Sequence, residues 1–303
     1  MKYSATPLVS IVIPNYNHAR FLGRALQSVL NQTYTNWEAI VIDNYSTDNT
    51  DEVMASHTDQ RIVYLKVQNN GVIAVSRNAG IRAAKGEWIA FLDSDDWWTA
   101  DKLQVCFDCI YDKVDFVYHD LQIVNDQTRY FQSKTIKSWQ VKTPVLTDLM
   151  VRGSAIATSS VVVKKKLLKQ LKGMNESSDM VGAEDYNTWL RIAQITERFR
   201  YLPKRLGFYQ LHKQGISSQK DMSVPAMHAV DEFIDLLSQQ QKNKLKAHLK
   251  YSKGRYEYLA GNTFNAKKNL LFSLRYGKST IKLKSVFMLI GMLKMSYLSN
   301  KHW

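Results

Sequence analysis

The chain has 303 residues, of which 45% are apolar and 22% are charged, with 13 Gly and 5 Pro. This is the composition of an ordinary globular protein, and it excludes disordered, collagen-like and low-complexity classes. The two cysteines exclude a disulfide scaffold and favour a reducing compartment. The N-terminal sequence lacks a signal-peptide pattern and no apolar window is long enough to span a membrane, so we expect a cytoplasmic protein.

The net charge of +14 is unevenly distributed along the chain. Residues 1–203 contain 23 basic and 22 acidic side chains, whereas residues 204–303 contain 18 basic and 5 acidic ones. A nearly neutral body is therefore followed by a strongly basic C-terminal part. Basic surface attracts polyanions, so nucleic acid, anionic lipid and anionic polymers are all candidate partners on charge alone.

The first 100 residues alternate strand and helix patterns. Short apolar runs predict strands at residues 9–13, 37–42, 62–66 and 88–92. Apolar residues at helical spacing, or helix-start residues, predict helices at residues 18–31, 48–53 and 74–84. This alternation indicates βαβ units and a mainly parallel sheet. Ligands of such sheets bind beyond the carboxyl ends of the strands, where the sequence has polar runs at residues 15–17, 43–44 and 93–96.

The rest of the chain is less regular. Strands are predicted at residues 114–118 and 130–131, and helices at residues 144–152, 164–172 and 183–196. The last 80 or so residues have an all-helical pattern. The sequence therefore predicts an α/β body with a C-terminal helical extension.

The sharpest chemical signal is Asp93-Ser94-Asp95-Asp96, directly after the fourth strand. Three carboxylates within four residues repel one another unless they share a cation, and hard oxygen ligands select Mg²⁺ or Mn²⁺ beside substrate phosphates. In an extended segment Asp93 and Asp95 point to the same side. An acidic turn that caps the next helix is the alternative, and the pattern favours the metal site.

Four further signals are weaker when each is taken alone. Asp43 follows the second strand, where it could bind a base or a ribose or simply form a turn. Arg77 could contact a pyrophosphate or be a solvated helical residue. Glu184 and Asp185, in the first turn of a helix, could provide a general base or complement the helix dipole. His212 could bind a metal or a phosphate, although a lone histidine is more often structural.

Several common cofactor motifs are missing from the sequence. It contains no HExxH, P-loop, GxGxxG or GxSxG pattern, and the missing GxGxxG argues against a nicotinamide-dependent enzyme. The pair Cys106 and Cys109 has CxxC spacing but lacks a second pair, so it predicts core packing instead of a zinc site.

Taken together, these motifs resemble glycosyltransferase family 2, which has the GT-A fold. The likeness covers about residues 8–215, and its segments are VSIVIPNYNHARFLGRALQSVLNQTYTNWEAIVIDNYSTDNT, NNGVIAVSRNAGIRAAKGEWIAFLDSDDWW and GAEDYNTWLRIA. It implies a Rossmann-like, mainly parallel sheet flanked by helices. The implied domain has a nucleotide-binding half at about residues 1–100 and an acceptor half at about residues 101–215. Residues 216–303 would form a separate basic helical region.

The resemblance also implies a role for each matching residue. The nucleotide would be bound by Pro14, Tyr16, Asn17, Asp43, Arg77, Asp93 and Ser94. Asp95 would coordinate Mn²⁺ or Mg²⁺ on the donor diphosphate, and His212 is a further candidate ligand because its segment often closes over the diphosphate. Asp185 would be the catalytic base, with Glu184 beside it on the acceptor side.

Two positions depart from the family pattern. The family usually has Asp-Asp-Gly-Ser after the second strand, and here Tyr45 replaces the glycine, which is expected to change that turn. A later segment usually has Tyr-Arg-x-His, and here Gln210 replaces the arginine. One positive charge near the phosphates is therefore expected to be missing.

The resemblance implies a metal-dependent, inverting hexosyltransferase that uses a UDP-sugar and a glycan or lipid-linked acceptor in bacterial surface-polysaccharide synthesis. Alternative interpretations are a dTDP-sugar (rhamnosyl) transferase, a non-catalytic protein that binds a sugar nucleotide or glycan at the membrane, and a polyanion-binding adaptor. The apolar run at residues 286–293 is flanked by lysines and could lie in an anionic membrane interface or pack on the body. We expect peripheral membrane attachment, and we expect no nucleic-acid partner.

Overall fold

The structure is a computed structural model that describes residues 6–110, 113–125, 134–153, 156–212, 215 and 220–299. Its strands are β1 (Val9–Asn15), β2 (Trp37–Asp43), β3 (Ile62–Lys66), β4 (Trp88–Phe91), β5 (Trp97–Trp98), β6 (Phe116–Val124), β7 (Thr135–Ile136), β8 (Val162–Lys164) and β9 (Phe199–Gln210). Its α-helices are α1 (Ala19–Leu30), α2 (Thr50–Ala55), α3 (Ile73–Ala83), α4 (Lys102–Asp108), α5 (Val145–Arg152), α6 (Lys165–Gln170), α7 (Glu184–Ala193), α8 (Ser223–Val230), α9 (Gln239–Leu259), α10 (Thr263–Tyr276) and α11 (Ser279–Ser299).

The described strands form one nine-stranded sheet in the order β3-β2-β1-β4-β8-β6-β9-β5, with β7 paired to β6. The four strands from β3 to β4 are mutually parallel, as the alternation of strands and helices predicts. The other half is mixed: β8 is antiparallel to β4 and β6, and β9 is parallel to β6. The α/β fold with C-terminal helices is therefore confirmed, with a sheet that is parallel in the half formed by β1 to β4.

Most predicted elements occur within a few residues of their expected positions. The strand predicted at residues 114–118 is β6, which continues to Val124. The strand predicted at residues 130–131 lies outside the described residues. The sequence pattern did not predict β9, because this strand contains Pro203 and several basic residues and eight of its twelve residues are at least partly exposed.

Helices cover both faces of the sheet, so its central strands are buried on both sides. In β1, Val9, Ile11 and Ile13 belong to one core cluster with α1 and α4, whereas Val12 belongs to the opposite cluster with α3 and α7. A strand buried on both faces has a continuous apolar run instead of alternation. Cys106 lies in the α1–α4 cluster as a free thiol, which agrees with its interpretation as a packing residue.

Helix α3 lies unusually close to the sheet because of Gly80. A Cβ atom at this position would stand 2.6 Å from Val12 Cγ1 and 2.7 Å from Ile42 Cδ1, which is shorter than any normal contact. The absent side chain lets the helix backbone pack directly on β1 and β2. This position fixes the residue one turn earlier, Arg77, at the edge of the sheet where the strands end.

The C-terminal helices divide into two groups by their packing. Val230, Phe233 and Leu245 join the main core beside α7, so α8 and the start of α9 pack on the sheet domain. Residues of α10 and α11 form a small cluster of their own with Ala266 and Leu270. In the described part of the chain, no helix is both long and apolar enough to cross a membrane. The proposed division at residue 215 stays a prediction.

Candidate active site

A cavity of about 820 Å³, here called the main cavity, opens where β1, β2 and β4 end. This is the edge at which the polar runs of the sequence were expected to converge. Nine of the predicted site residues line it: Pro14, Tyr16, Asn17, Arg77, Asp93, Ser94, Asp95, Glu184 and Asp185. The structure thus brings the donor-side and acceptor-side motifs together around one space. The individual roles of these residues stay predictions.

Asp43 does not line the main cavity, and it is fully buried beneath the turn that follows β2. Its carboxylate accepts hydrogen bonds from Asn15 Nδ2 at 2.9 Å and from the Ser46 backbone N–H at 2.9 Å. The Ser46 hydroxyl also lies 2.5 Å from Asp43 Oδ1. In the structure Asp43 therefore fastens the loops after β1 and β2 to each other, and its predicted contact with a nucleotide stays untested.

Tyr45 keeps the turn that the family usually builds with glycine. Its φ angle is +53°, in the left-handed region that glycine enters without strain and other residues enter at a cost of about 1–2 kcal/mol. The side chain is 55% exposed and lines the main cavity, as does Tyr16, which is 53% exposed. The position therefore has a backbone conformation that glycine favours, and its side chain adds a second aromatic ring to the cavity wall.

Arg77 lies at the centre of the site, between the two acidic motifs. Its Nη2 donates to Asp93 Oδ1 at 2.7 Å, and its Nη1 donates to Glu184 Oε1. The side chain is only 3% exposed. Burial by itself lowers the pKa of Arg77, but the neighbouring carboxylates outweigh it and the net pKa is raised. This charged triad of Arg77, Asp93 and Glu184 joins the donor and acceptor sides rigidly.

The two other carboxyls of the Asp93–Asp96 loop have different surroundings. Asp96 is buried, and its carboxylate accepts from Ser159 Oγ at 2.5 Å and from the Gln210 backbone N–H at 3.0 Å. Burial, then the charges of Asp95 and Asp93, raise the pKa of Asp96 well above its ordinary value. Asp96 therefore anchors the loop to β9, whereas Asp95 remains turned toward the main cavity.

Asp95 belongs to a cluster that suits a divalent cation. His212 Nε2 lies 2.8 Å from Asp95 Oδ2, and one ligand atom each from His18, Asp95 and His212 all lie within 4.8 Å of one another. One carboxylate and two imidazoles form a donor set for Mn²⁺ and related ions. Burial lowers the pKa of His18, which favours the neutral imidazole that binds metals. His18 Nδ1 also lies 2.9 Å from Ser94 Oγ.

Asp185 lines the main cavity from the first turn of α7. Its Oδ2 accepts a hydrogen bond from Thr158 Oγ1 at 2.6 Å, and its Oδ1 accepts from the Tyr186 backbone N–H at 2.6 Å. Burial, followed by the charge of Glu184, raises the pKa of Asp185 to about 6. A carboxylate with that pKa, held in a fixed orientation beside a cavity, is suited to accept a proton near neutral pH.

Arg24 of α1 contacts Gln210, which stands where the family usually has an arginine. Arg24 of α1 donates through Nη2 to Gln210 Oε1 at 2.9 Å and to the Asp95 backbone carbonyl at 3.2 Å. Its guanidinium also lies over the Trp97 ring, 3.5 Å from the centroid. Arg24, which the sequence analysis did not identify, thus places a guanidinium beside Gln210 and the Asp95 backbone, but it is not among the residues that line the main cavity. The missing charge near the phosphates stays a prediction.

Sequence reasoning missed three more residues of this site: His18, Thr158 and Ser159. His18 follows the polar run after β1, and that position gave the only available signal. Thr158 and Ser159 lie in a short 3₁₀ turn, Thr158–Ser160, where they hold Asp185 and the Asp93–Asp96 loop. Nothing in their local sequence distinguishes them from ordinary turn residues.

Comparisons with known proteins agree with this geometry. The sequence profile of glycosyl transferase family 2 matches residues 10–169, which is more than half of the chain. The UDP-Glc:alpha-D-GlcNAc-diphosphoundecaprenol beta-1,3-glucosyltransferase WfgD of Escherichia coli is 31% identical over 218 residues, 70% of this chain and 81% of that protein. WfaP of Escherichia coli, which has the same enzyme name, is 32% identical over 217 residues with the same coverage.

Solved structures show the same fold at lower sequence identity. Staphylococcus aureus TarS 1–349, solved with UDP-GlcNAc, has a TM-score of 0.64 at 18% identity and covers 90% of this chain and 82% of its own. The mannosyltransferase PcManGT from Pyrobaculum calidifontis, solved with GDP-Man and Mn²⁺, has a TM-score of 0.62 at 20% identity and covers 99% and 84%. The chain therefore belongs to glycosyl transferase family 2, and it is a glycosyltransferase with the GT-A fold.

Proposed function

We propose that the protein transfers a hexose from a UDP-sugar to a lipid-linked glycan, with inversion at the anomeric carbon, in the synthesis of a bacterial surface polysaccharide. One observation carries this proposal. The cluster of His18, Asp95 and His212, which suits a divalent cation, adjoins the main cavity of about 820 Å³. Asp185, a carboxylate with a raised pKa, lines the same cavity. Such an arrangement provides for a diphosphate leaving group at one end and an attacking hydroxyl at the other.

On the donor side, His18, Asp95 and His212 would hold the cation, and Tyr16 with Tyr45 would line the nucleoside end of the cavity. When bound there, a divalent cation neutralises charge that develops on the leaving diphosphate. Asp93 would contact the ribose while the Arg77 guanidinium fixes its carboxyl group in position.

On the acceptor side, Asp185 would accept the proton of the acceptor hydroxyl. The hydroxyl oxygen forms a bond to the anomeric carbon on one face as the bond to the UDP oxygen breaks on the other, which inverts that carbon. UDP leaves with the electron pair of the broken bond, and the proton stays on Asp185. Thr158 holds the carboxylate so that its lone pairs are available to the substrate.

The choice of UDP and of a lipid-linked acceptor is supported by the relatives WfgD and WfaP, whose names specify UDP-Glc and a diphosphoundecaprenol acceptor. A dTDP-sugar donor is the alternative within the same chemistry. A purely binding protein is disfavoured, because such a protein has no need for Asp95 and Asp185 to face one cavity.

The proposal is tested by titrating the full chain with UDP, dTDP and GDP in a calorimeter, with and without Mn²⁺. We expect UDP to bind only with Mn²⁺, and Asp95→Asn to abolish that binding without a loss of thermal stability. Asp235→Asn is the matched control, because Asp235 is an exposed acidic residue far along the chain from the site. A folded protein that binds none of the three nucleotides would contradict the proposal.

We further propose that the C-terminal end attaches the enzyme to the anionic membrane that carries such acceptors. On α11, Leu283, Phe287 and Ile290 are spaced as one helix face and are 58%, 66% and 45% exposed. Exposed Lys282 and Lys284 flank this face, and each lysine near an anionic surface contributes about 1 kcal/mol.

Sedimentation with vesicles tests this attachment. We expect the protein to bind phosphatidylglycerol vesicles more strongly than phosphatidylcholine vesicles, and Phe287→Ser to reduce binding. Leu236→Ser is the control, since Leu236 is 62% exposed on a different element. Equal binding by both variants would argue against α11 as the contact.

A further inference from the structure

A second cavity of about 310 Å³, here called the side cavity, adjoins the main cavity. The two cavities share Ala157, Gly182, Asp185 and Met222 as lining residues. Asp185, to which we assign the proton acceptor, therefore borders both spaces. Because a general base must reach the acceptor hydroxyl directly, the side cavity lies where the acceptor would approach.

The wall of the side cavity differs in character from that of the main cavity. Helix α9 contributes Leu245, His248, Leu249 and Ser252, all beyond the residues 10–169 that match the family profile. Much of the remaining wall is apolar, with side chains such as Ile156 and Tyr186. Among the described lining residues there is no lysine or arginine. The side cavity therefore suits an uncharged group with apolar faces, and a diphosphate would find no cation there.

His248 is the unusual polar residue in this wall. Its Nδ1 is buried and has no hydrogen-bond partner among the described residues, which costs free energy unless a ligand provides one. Burial, then Lys278 and Lys284, lower the pKa of His248 to about 4, so the imidazole is neutral at physiological pH. A neutral imidazole has one N–H donor and one nitrogen acceptor.

Gly153, at the end of α5, leaves the space that the His248 ring occupies. A Cβ atom at residue 153 would stand 2.1 Å from His248 Nε2, so only glycine leaves room for the ring. Gly153 also has a φ angle of +78°, which glycine adopts without strain. The fold therefore holds the imidazole of His248 with its Nε2 against Gly153, while its Nδ1 has no hydrogen-bond partner among the described residues.

We propose that the side cavity binds the terminal pyranose of the acceptor, with His248 hydrogen-bonded to a polar substituent of that ring and Asp185 at the hydroxyl that is glycosylated. This inference rests on the proposed function. A pyranose suits the cavity because its C–H faces can contact Leu245 and Ile156 while its edge carries hydroxyl or acetamido groups. A ligand that offers no hydrogen-bond partner would leave the buried His248 imidazole unpaired and would therefore bind more weakly. His248 would in this way set the acceptor specificity.

The test is direct binding of sugars to the full chain, followed by NMR of the histidine rings. The UDP-loaded protein is titrated with the methyl glycosides of glucose, galactose, mannose, rhamnose, GlcNAc and GalNAc, and His248→Phe identifies the His248 signal among the seven histidines. We expect at least one glycoside to shift the His248 signal saturably. No shift by any glycoside, in a protein that binds UDP, would overturn the proposal.

Two cavity variants and one control then locate the sugar. Ala226→Leu narrows the side cavity from α8 without changing His248, and we expect it to weaken binding of the active glycoside about tenfold. With that glycoside as acceptor, we expect His248→Phe to raise its KM about tenfold while the donor KM stays within twofold. His228→Phe on α8 is the control, because His228 is 38% exposed and does not line the cavity.

The outcomes separate this inference from the proposed function. If UDP does not bind, the proposed function itself fails. If UDP binds and Ala226→Leu leaves sugar binding unchanged, the sugar lies elsewhere and the side cavity is not the acceptor subsite. An equal rise of donor and acceptor KM in His248→Phe would indicate a structural role and would also overturn the proposal.

Discussion

Replacement of Arg77 by methionine should be among the most destabilising single changes in this protein. Methionine fills a similar volume but removes the charge that Asp93 and Glu184 share. The Arg77 and Glu184 side chains are 3% and 6% exposed, so water replaces little of the lost partner at Glu184. The Asp93 side chain is 28% exposed and lines the main cavity, so water compensates more of the loss there. Removing one member of a buried ion pair costs about 3–5 kcal/mol, so we expect the free energy of unfolding to fall by that amount.

Arg61 provides a matched control for this change. The distance from Arg61 Nη2 to Asp59 Oδ2 is 2.7 Å, the same as that from Arg77 Nη2 to Asp93 Oδ1. The Arg61 side chain, however, is 40% exposed. Exposed ion pairs contribute about 0–1 kcal/mol, so Arg61→Met should cost no more than that. Arg61 also lies over the Trp37 ring, 3.7 Å from the centroid, and donates to the Thr35 carbonyl. A small cost for Arg61→Met despite these additional contacts would attribute the larger effect at Arg77 to burial.

The assay is urea unfolding followed by the fluorescence of the seven tryptophans, with EDTA present so that metal does not contribute. Adding Glu184→Gln to Arg77→Met should recover at least about 1 kcal/mol, because it removes one of the two uncompensated charges. A cost for Arg77→Met no larger than that of Arg61→Met, or no recovery in the double variant, would refute the reasoning.

Three further predictions concern catalysis, the nucleotide and packing. Asp185→Asn should lower kcat by about 10²–10⁴ with UDP affinity unchanged. In the wild type, kcat/KM should decrease as the pH falls through about 6, because the proton acceptor works only when it is ionised. A flat pH–rate profile would exclude Asp185 as the proton acceptor. Tyr45→Gly should raise Tm, because glycine adopts the left-handed backbone without strain. The same change should weaken UDP binding measured by calorimetry if the Tyr45 ring stacks on the base, since such stacking is worth about 1–3 kcal/mol. Tighter UDP binding would contradict stacking by Tyr45. Gly80→Ala should lower the free energy of unfolding in urea by about 1–3 kcal/mol despite alanine's better helix propensity, because the new Cβ atom would clash with Val12 and Ile42. A more stable variant would show that α3 can move away from the sheet.

The sequence predicted the fold of the first 100 residues well because the signals in that part of the chain are local. Each strand there is an apolar run, each helix has a periodic face, and the polar runs after β1, β2 and β4 mark a single edge of the sheet. Asp93, Asp95 and Asp185 could be selected for the same reason, since the first two follow β4 within a few residues and Asp185 lies in the first turn of a recognisable helix.

The contacts that assemble the site could not be predicted in this way. Arg24 and Gln210 are 186 positions apart, and His212 and Asp95 are 117 positions apart. No periodicity extends over such separations, so these pairs depend on how β9 is added to the sheet. That strand itself was missed because its charged residues and Pro203 suppress the strand pattern. The left-handed backbone at Tyr45 was not predicted either, since bulky residues rarely adopt that conformation.

The packing of the C-terminal helices determines which parts of the chain unfold together. Phe233 and Leu245 complete the apolar surface beneath α7, so the sheet and the chain up to the start of α9 form one cooperative unit. Among the side chains that the structure describes, those of α10 and α11 bury a small cluster with Leu270, against which Tyr251 and Tyr258 of α9 pack. These two helices can open without exposing the surface beneath α7. Amide hydrogen exchange should therefore be faster in α10 and α11 than in β1. A fragment cut at residue 215 would expose the main core, whereas one cut after Leu259 would leave it covered.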